Sequence, residues 1–225
     1  MLGRPIMTSD QLNQHVTQLA QQDIIWGPLF DSGKYIGTTG QLNLSFFSVP
    51  QGQGATTAPS ANGSKTIQDT NMTAAGQLTK GNAFYMTGQE ILFFPGVSPE
   101  TAPAATISDF LNDVWTFSKN GNLQLTIGSN RQYLNTSGDG PLGIFPPSTR
   151  LAVAAALTGL QITNSVSEIA YGVMSGEVYT IVPVYIEATL GFQENMAWSA
   201  AQALPSATDA RVFSRLRGYL NRNAQ

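Results

Sequence analysis

The sequence predicts an all-β sandwich with a helix at each end. The central observation is the stretch Glu177–Phe192 (EVYTIVPVYIEATLGF), along which apolar or β-branched side chains alternate with polar ones. Successive side chains of a strand point to opposite faces, so this period of two predicts a long strand with one face on a core. Pro183 has no N–H to donate, which predicts an edge, a bulge or a break within the stretch. We expect a long, bent strand pair at the centre of the sandwich.

Three further segments have the composition of strands. Gln41–Val49 and Gly121–Gly128 alternate, while Ala83–Pro95 is apolar on both faces in its second half and is therefore expected between two layers. Residues 50–65 are rich in Gly, Ala, Ser, Thr and Pro, which predicts an exposed loop. The Ala-rich segment 151–163 is compatible with either a helix or a strand.

Apolar residues recur at helical spacing at both ends of the chain. In residues 8–25 they are Leu12, Val16, Leu19, Ala20 and Ile24; in residues 209–222 they are Val212, Phe213, Leu216 and Leu220. We therefore predict a helical N-terminal arm over residues 1–25, a sandwich over 26–205 and a basic C-terminal helix over 206–225.

Charge is the most unusual feature of the composition. Charged residues make up 11% of the chain, against about 25% in typical soluble domains. The surface must then be built from neutral polar side chains, which are cheap to desolvate and suit faces that neighbouring subunits cover. An ordinary low-charge β protein is the alternative interpretation. The net charge of −3 gives no overall basic balance for nucleic acid, and the absence of cysteine excludes disulfides and thiolate metal sites.

The residues that hydrolytic chemistry requires are sparse. The single histidine, His15, lies beside the apolar side of the predicted N-terminal helix, with no acidic partner nearby in sequence. Candidate paired carboxylates are Asp109 with Asp113, and Glu90, Glu177 and Glu187. Asp69-Thr70-Asn71 matches only a fragment of a calcium loop. We predict that the chain is not an enzyme and has no catalytic residues, cofactor or metal ion.

Four arginines near the C-terminus are the one concentrated charged feature. Arg211, Arg215, Arg217 and Arg222 are accompanied only by Asp209 in the last 18 residues. One interpretation is a solvated helix face whose cations suit the C-terminal end of a helix. The other is a phosphate contact, either with nucleic acid or with lipid headgroups.

Four segments together carry a resemblance to a known family. They are LNLSFFSVPQGQG (42–54), KTIQDTNMTAAGQLTKGNAFYMTGQEILFFPG (65–96), NLQLTIGSNRQYL (122–134) and PLGIFPP (141–147). In these segments the chain resembles the jelly-roll coat proteins of tailless icosahedral bacteriophages. The resemblance implies a jelly-roll β-sandwich, single or double, with N- and C-terminal helices. It further implies a virion shell protein that forms trimers or larger oligomers, contacts other coat proteins, and faces the genome or an internal membrane through its terminal helices.

The second hypothesis is a carbohydrate- or receptor-binding β-sandwich of a virion fibre or spike. Tyr179, Tyr185, Trp115 and Trp198 are the rings that would stack on sugars, although buried aromatics are the alternative interpretation.

Overall fold

The computed structural model describes residues 22–54, 63–96, 112–128, 139–142, 149–156, 168–175 and 179–223. Within these ranges the chain forms eleven strands and one helical segment, α1, over residues 112–118. The strands are β1 Gln22–Trp26, β2 Leu29–Tyr35, β3 Asn43–Phe46, β4 Asn82–Phe94, β5 Gly121–Ile127, β6 Asp139–Pro141, β7 Thr149–Ala156, β8 Glu168–Ser175, β9 Tyr179–Glu187, β10 Phe192–Trp198 and β11 Ala210–Asn223.

The strands form two antiparallel sheets that pack as a β-sandwich. The first sheet has the order β1-β11-β4-β9, and β2 follows β1 along the same side of β11. The second sheet has the order β3-β10-β5-β6. β7 and β8 form a separate antiparallel pair, and both contact β4. The two longest strands, β4 and β11, therefore lie together inside the first sheet.

Alternating side chains from both sheets fill the core. The inward positions of β3, β5 and β10 are buried, as are Val212 and Leu216 on β11 and Ile91 on β4. At one end α1 contributes Phe117, whose ring lies 5.5 Å from the ring of Trp198 on β10. The sheets and the helical segment thus share one continuous apolar core.

The predicted C-terminal helix over Asp209–Arg222 is wrong, because this segment is β11, a strand of 14 residues. Ser214 and Gly218 occupy inward positions of the strand and interrupt its alternation of apolar and polar residues. The remaining apolar residues then recur at the spacing expected of a helix. Gly218 is required there, since a methyl group at that position would lie 1.9 Å from the carbonyl oxygen of Tyr85. The sandwich extends to Asn223, and no separate basic helix spans 206–225 within the described residues.

The predicted N-terminal helix is also wrong where it can be compared with the structure. Gln22–Trp26 forms β1, which pairs with the end of β11. The apolar residues of this segment therefore belong to a strand of the first sheet and not to one face of a helix. The remainder of the predicted arm, residues 1–21, lies outside the described residues.

The stretch Glu177–Phe192 is partly as predicted. Val184 and Ile186 are buried and Tyr185 is exposed, which confirms the two faces. The pairing of β9 with β4 shifts between Val184 and Thr180, so the predicted irregularity at Pro183 is also confirmed. The central position is wrong: β9 lies at the edge of its sheet, where a proline costs no ladder hydrogen bond. The undecided segment 151–163 begins within a strand, β7.

Candidate functional site

The outward face of β11 brings together three of the four predicted arginines. Arg211, Arg215 and Arg217 occupy half-buried positions of the outward phase, while the positions of the other phase point into the core. Arg222 lies beyond the irregularity at Arg217/Gly218, near the end of β11, where it is exposed, and it is not part of this set. We call the three the arginine face.

Arg215 and Arg217 are held by one buried carboxylate. Glu90 is the cross-strand neighbour of Arg215 on β4 and is completely buried. Its Oε2 accepts hydrogen bonds from Arg215 Nε at 2.6 Å, from Arg215 Nη2, and from Arg217 Nη2 at 3.3 Å. Glu90 thus supplies the negative charge that these two arginines need in order to pack against the sheet.

Arg211 lines an open cleft of about 270 Å³ at one end of the arginine face. Its Nη2 donates to Asp69 Oδ1 at 2.7 Å, and its guanidinium lies 4.4 Å from the ring centroid of Phe213. Across the cleft, Lys34 Nζ lies 3.5 Å from Asp209 Oδ2. Each of these two cations is matched by a carboxylate, so the cleft has no surplus positive charge with which to attract phosphate.

Four aromatic side chains lie side by side across the first sheet. Trp26 pairs in register with Tyr219, Tyr219 with Tyr85, and Tyr85 with Tyr185, so the set crosses β1, β11, β4 and β9. The ring centroids of Trp26 and Tyr219 lie 4.9 Å apart, and those of Tyr85 and Tyr185 lie 4.7 Å apart. Trp26 is 59% exposed. We call these four residues the aromatic row.

An ion pair lies buried within the sandwich. Lys65 Nζ is 2.6 Å from both Asp31 Oδ1 and Asp31 Oδ2, and the two side chains are 2% and 0% exposed. Asp31 Oδ2 also accepts a hydrogen bond from the backbone N–H of Phe47 at 2.5 Å. Burial raises the pKa of Asp31, although Lys65 and these hydrogen bonds oppose the rise.

A second buried carboxyl group, Glu194 on β10, reaches from the opposite sheet. It accepts hydrogen bonds from Gln89 Nε2 on β4 and from Ser214 Oγ on β11. Burial raises the pKa of Glu194 to about 8, the bond from Ser214 opposes the rise, and the charge of Asp31 adds to it. Ser214 is the cross-strand neighbour of Asp31, so the two buried carboxyl groups share one region of the core.

Sequence reasoning missed both the aromatic row and these buried polar groups. The row becomes visible only once the strand registers are known, because its members are separated by up to 193 positions in the chain. For the buried groups a signal was present: Asp31, Gln89 and Glu194 each stand at an inward position of a segment with strand alternation. Polar side chains can be buried at inward positions when another group in the fold forms hydrogen bonds with them.

The other predicted site residues do not assemble into a site. Trp115 is exposed on α1, and Trp198 is buried with its Nε1 donating to the carbonyl of Phe117 at 2.8 Å. Trp198 therefore cannot serve as a sugar platform, whereas Tyr185 is exposed in the aromatic row. The side chain of Tyr179 lies outside the described residues.

The carboxylate candidates are likewise dispersed. Asp113 Oδ1 accepts the backbone N–H of Ser206 at 2.9 Å, and Glu187 is exposed at the end of β9. Asn71 binds backbone groups of Pro28 and Phe30, which gives it a structural role. His15, Asp109 and Glu177 lie outside the described residues.

Across the described ranges no group of three or more His, Cys, Asp or Glu side chains is arranged to hold a metal ion. That same portion contains no helix with the length and apolar character needed to cross a bilayer.

The fold and its surfaces define a two-sheet antiparallel β-sandwich with an exposed aromatic row. Comparison with protein-family models, with curated proteins and with solved structures finds no match for this chain.

Proposed function

We propose that this chain is a jelly-roll coat protein that assembles with copies of itself into a virion shell. The strand pairing supports the jelly-roll part of the proposal. The pairs β2–β11, β3–β10, β4–β9 and β5–β6 nest inside one another along the chain. Nested antiparallel pairs of this kind arise when one long hairpin is wrapped into a sandwich, as in the jelly rolls of viral capsids and lectins. Eight nested strands favour a single jelly roll.

The observation that carries self-assembly is the aromatic row. It extends from the edge strand β1 to the edge strand β9, with Trp26, Tyr185 and Tyr219 exposed. Aromatic residues are enriched at protein interfaces because they bury a large area and can keep a polar tip hydrated. A second copy of the chain that packs against this face would cover rings from four strands at once. The low charge of the chain reduces the cost of desolvating the surrounding surface.

Other coat proteins remain proposed partners of the same surfaces, and the virion remains the proposed location. The genome or an internal membrane is the proposed partner of Arg211, Arg215, Arg217 and Arg222. We give self-assembly the greater weight, because the first three of these arginines already bind carboxylates within the fold.

Light scattering combined with negative-stain microscopy, over a range of salt and protein concentration, tests the proposal. We expect trimers, rings or closed shells from the wild-type chain. The double variant Trp26→Ser/Tyr219→Ser should remain smaller, because it removes two exposed rings of the row without touching the core. Trp115→Ser is the matched control, since it removes an exposed tryptophan outside the row. A wild-type chain that stays monomeric under all conditions would overturn the proposal.

The second candidate function is sugar or receptor binding, which the exposed rings of the aromatic row also favour. Flat aromatic rings stack on sugars, and jelly rolls occur in lectins. A glycan array distinguishes the two functions. Binding that is lost in Trp26→Ser/Tyr219→Ser and retained in Trp115→Ser, from a chain that stays monomeric, would replace the coat-protein proposal.

A further inference from the structure

The pair of Lys65 and Asp31 differs from a surface salt bridge in being buried, and it brings an amine and a carboxyl group, the two groups that an amide bond joins, into direct contact. We propose that these two side chains condense, after folding, into an intramolecular amide bond between Lys65 Nζ and Asp31 Cγ. The contact that carries the inference is the approach of Nζ to within 2.6 Å of both carboxyl oxygens, with both side chains buried. Given ordinary carboxyl bond lengths, this places Nζ about 3 Å from the carboxyl carbon, which is the separation required of reacting atoms. Attack then requires Nζ to leave its symmetric position between the two oxygens and to approach Cγ from above the carboxyl plane.

The main chain on each side keeps the two groups together. Asp31 lies within β2, in register with Ser214 of β11, and its Oδ2 is fixed by the backbone N–H of Phe47. The backbone of Lys65 is held on both sides, since its N–H donates to Gln53 and its carbonyl accepts from Gly52, at 3.0 and 2.9 Å. The entropic cost of bringing amine and acid together is therefore met by folding.

The interior also favours the uncharged form of Asp31. Separated charges lose their hydration when they are buried, so a buried ion pair is held against a large desolvation cost. Burial acts on Asp31 in this direction by raising its pKa. Transfer of one proton from Nζ to the carboxylate converts the ion pair into a neutral amine and a neutral carboxylic acid.

The condensation balances without any further reactant. The lone pair of the amine nitrogen attacks Asp31 Cγ, and the N–C bond forms while the bond from Cγ to the protonated oxygen breaks. The departing hydroxyl takes a proton from the nitrogen, so one water molecule leaves and nothing is oxidised or reduced. Exclusion of water from the site afterwards protects the amide from hydrolysis.

Glu194 is placed to assist the proton movements as a positioning residue. It binds Ser214, the cross-strand neighbour of Asp31, and it interacts electrostatically with Asp31. Its pKa of about 8 keeps the carboxyl group protonated near neutral pH. With this assistance the departing oxygen takes its proton from Glu194 through Ser214 instead of directly from the nitrogen, and the proton of the nitrogen then replaces the one that Glu194 gave, so the overall balance is unchanged. The charge of Asp31 is the one that acts on Glu194.

Mass spectrometry of the purified full-length chain under denaturing conditions tests the bond directly. We expect the intact mass to be lower than the sequence mass by one water. Trypsin should then fail to cleave after Lys65 and should release residues 1–34 joined to residues 35–80 as a branched peptide. This peptide distinguishes the amide from a succinimide at Asp139-Gly140, which loses the same water in a different fragment.

The variant Lys65→Arg retains a cation but lacks the amine nucleophile, and it should show the full sequence mass. The wild-type mass decides the proposal even when this variant fails to fold. A folded wild-type chain that keeps its full mass on long incubation, and is cleaved completely after Lys65, would overturn it.

A time course of the mass loss after refolding examines Glu194. We expect a first-order loss of water that is independent of protein concentration, and at least about tenfold slower in Glu194→Gln, as for removal of a proton-transfer group. Near-ultraviolet circular dichroism verifies that the variant has folded. An unchanged rate in a folded Glu194→Gln chain would remove Glu194 from the proposal, while the branched peptide would still decide the bond itself.

Discussion

Replacing Glu194 by glutamine should change how the stability of the protein depends on pH. The pKa of Glu194 rises from 4.5 to about 8 on folding, because burial disfavours its charged form. The folded state therefore holds this proton more tightly than the unfolded state, and the free energy of unfolding must fall as pH rises through that interval. At 1.36 kcal/mol for each unit of pKa, the loss from this one group is about 5 kcal/mol.

Glutamine has the shape of the protonated acid and can bind the same two partners: its Oε1 can accept from Gln89, and its Nε2 can donate to Ser214 Oγ, which reverses the direction of the hydrogen bond that Ser214 makes to Glu194. The variant should lack this share of the pH dependence and should gain stability over the wild type as pH rises towards about 8. Asp31, whose pKa is also raised by burial, contributes a decline of the same sign in both proteins while its carboxyl group is free.

Urea unfolding monitored by tryptophan fluorescence, at intervals from about pH 4 to about pH 9, measures the effect. Trp198 lies in the core and reports its opening. Protein concentrations below the onset of assembly keep association out of the measurement. A wild-type stability that is flat or rises between about pH 5 and about pH 8 would refute the reasoning, as would equal slopes for the two proteins.

Three further substitutions have defined outcomes. Arg215→Ala should lower the free energy of unfolding in urea by about 2–3 kcal/mol. This is less than for a fully buried pair, because Arg215 is partly exposed and Glu90 keeps its contact with Arg217. A free energy of unfolding equal to that of the wild type within experimental error would contradict the pairing. Gly218→Ala should cost about 3 kcal/mol in the same assay, because the new methyl group meets the carbonyl of Tyr85; wild-type stability would show that the strands can separate there. Lys65→Arg should lower the calorimetric melting temperature, since the amide bond closes a loop of roughly 35 residues, worth about 4 kcal/mol; equal melting temperatures would argue against that closure.

The sequence predicted the sandwich class because apolar and polar residues alternate visibly in every strand whose inward positions are apolar. In Glu177–Phe192, Val184 and Ile186 mark the inward phase, and the structure buries both. The edge or break at Pro183 also follows from local chemistry, since a missing N–H has the same consequence in any fold. The position of β9 within the sheet depends on long-range pairing, and no local pattern records it.

The C-terminal segment shows why the rest of the fold was missed. In β11 the inward positions include Ser214 and Gly218, while Phe213 and Tyr219 face outward, so polarity does not follow the strand period. Ser214 is tolerated inside because Glu194 receives its hydrogen bond from the other sheet. The grouping of the arginines could not be predicted for the same reason. The arginine face exists because β11 is extended, whereas a helix would have grouped Arg211, Arg215 and Arg222.

The position of β11 has a consequence for the order of events during synthesis. Among the described strands, β11 comes after β1, β2 and β4 in the chain, and all three of these strands pair with it. Until it arrives, these earlier strands have no common partner, and the first sheet cannot close over the core. Folding must therefore wait for residues 210–223, and it must form contacts between distant parts of the chain, which is slow. The nascent chain would expose unpaired strand edges throughout this interval, so aggregation competes with folding at this stage.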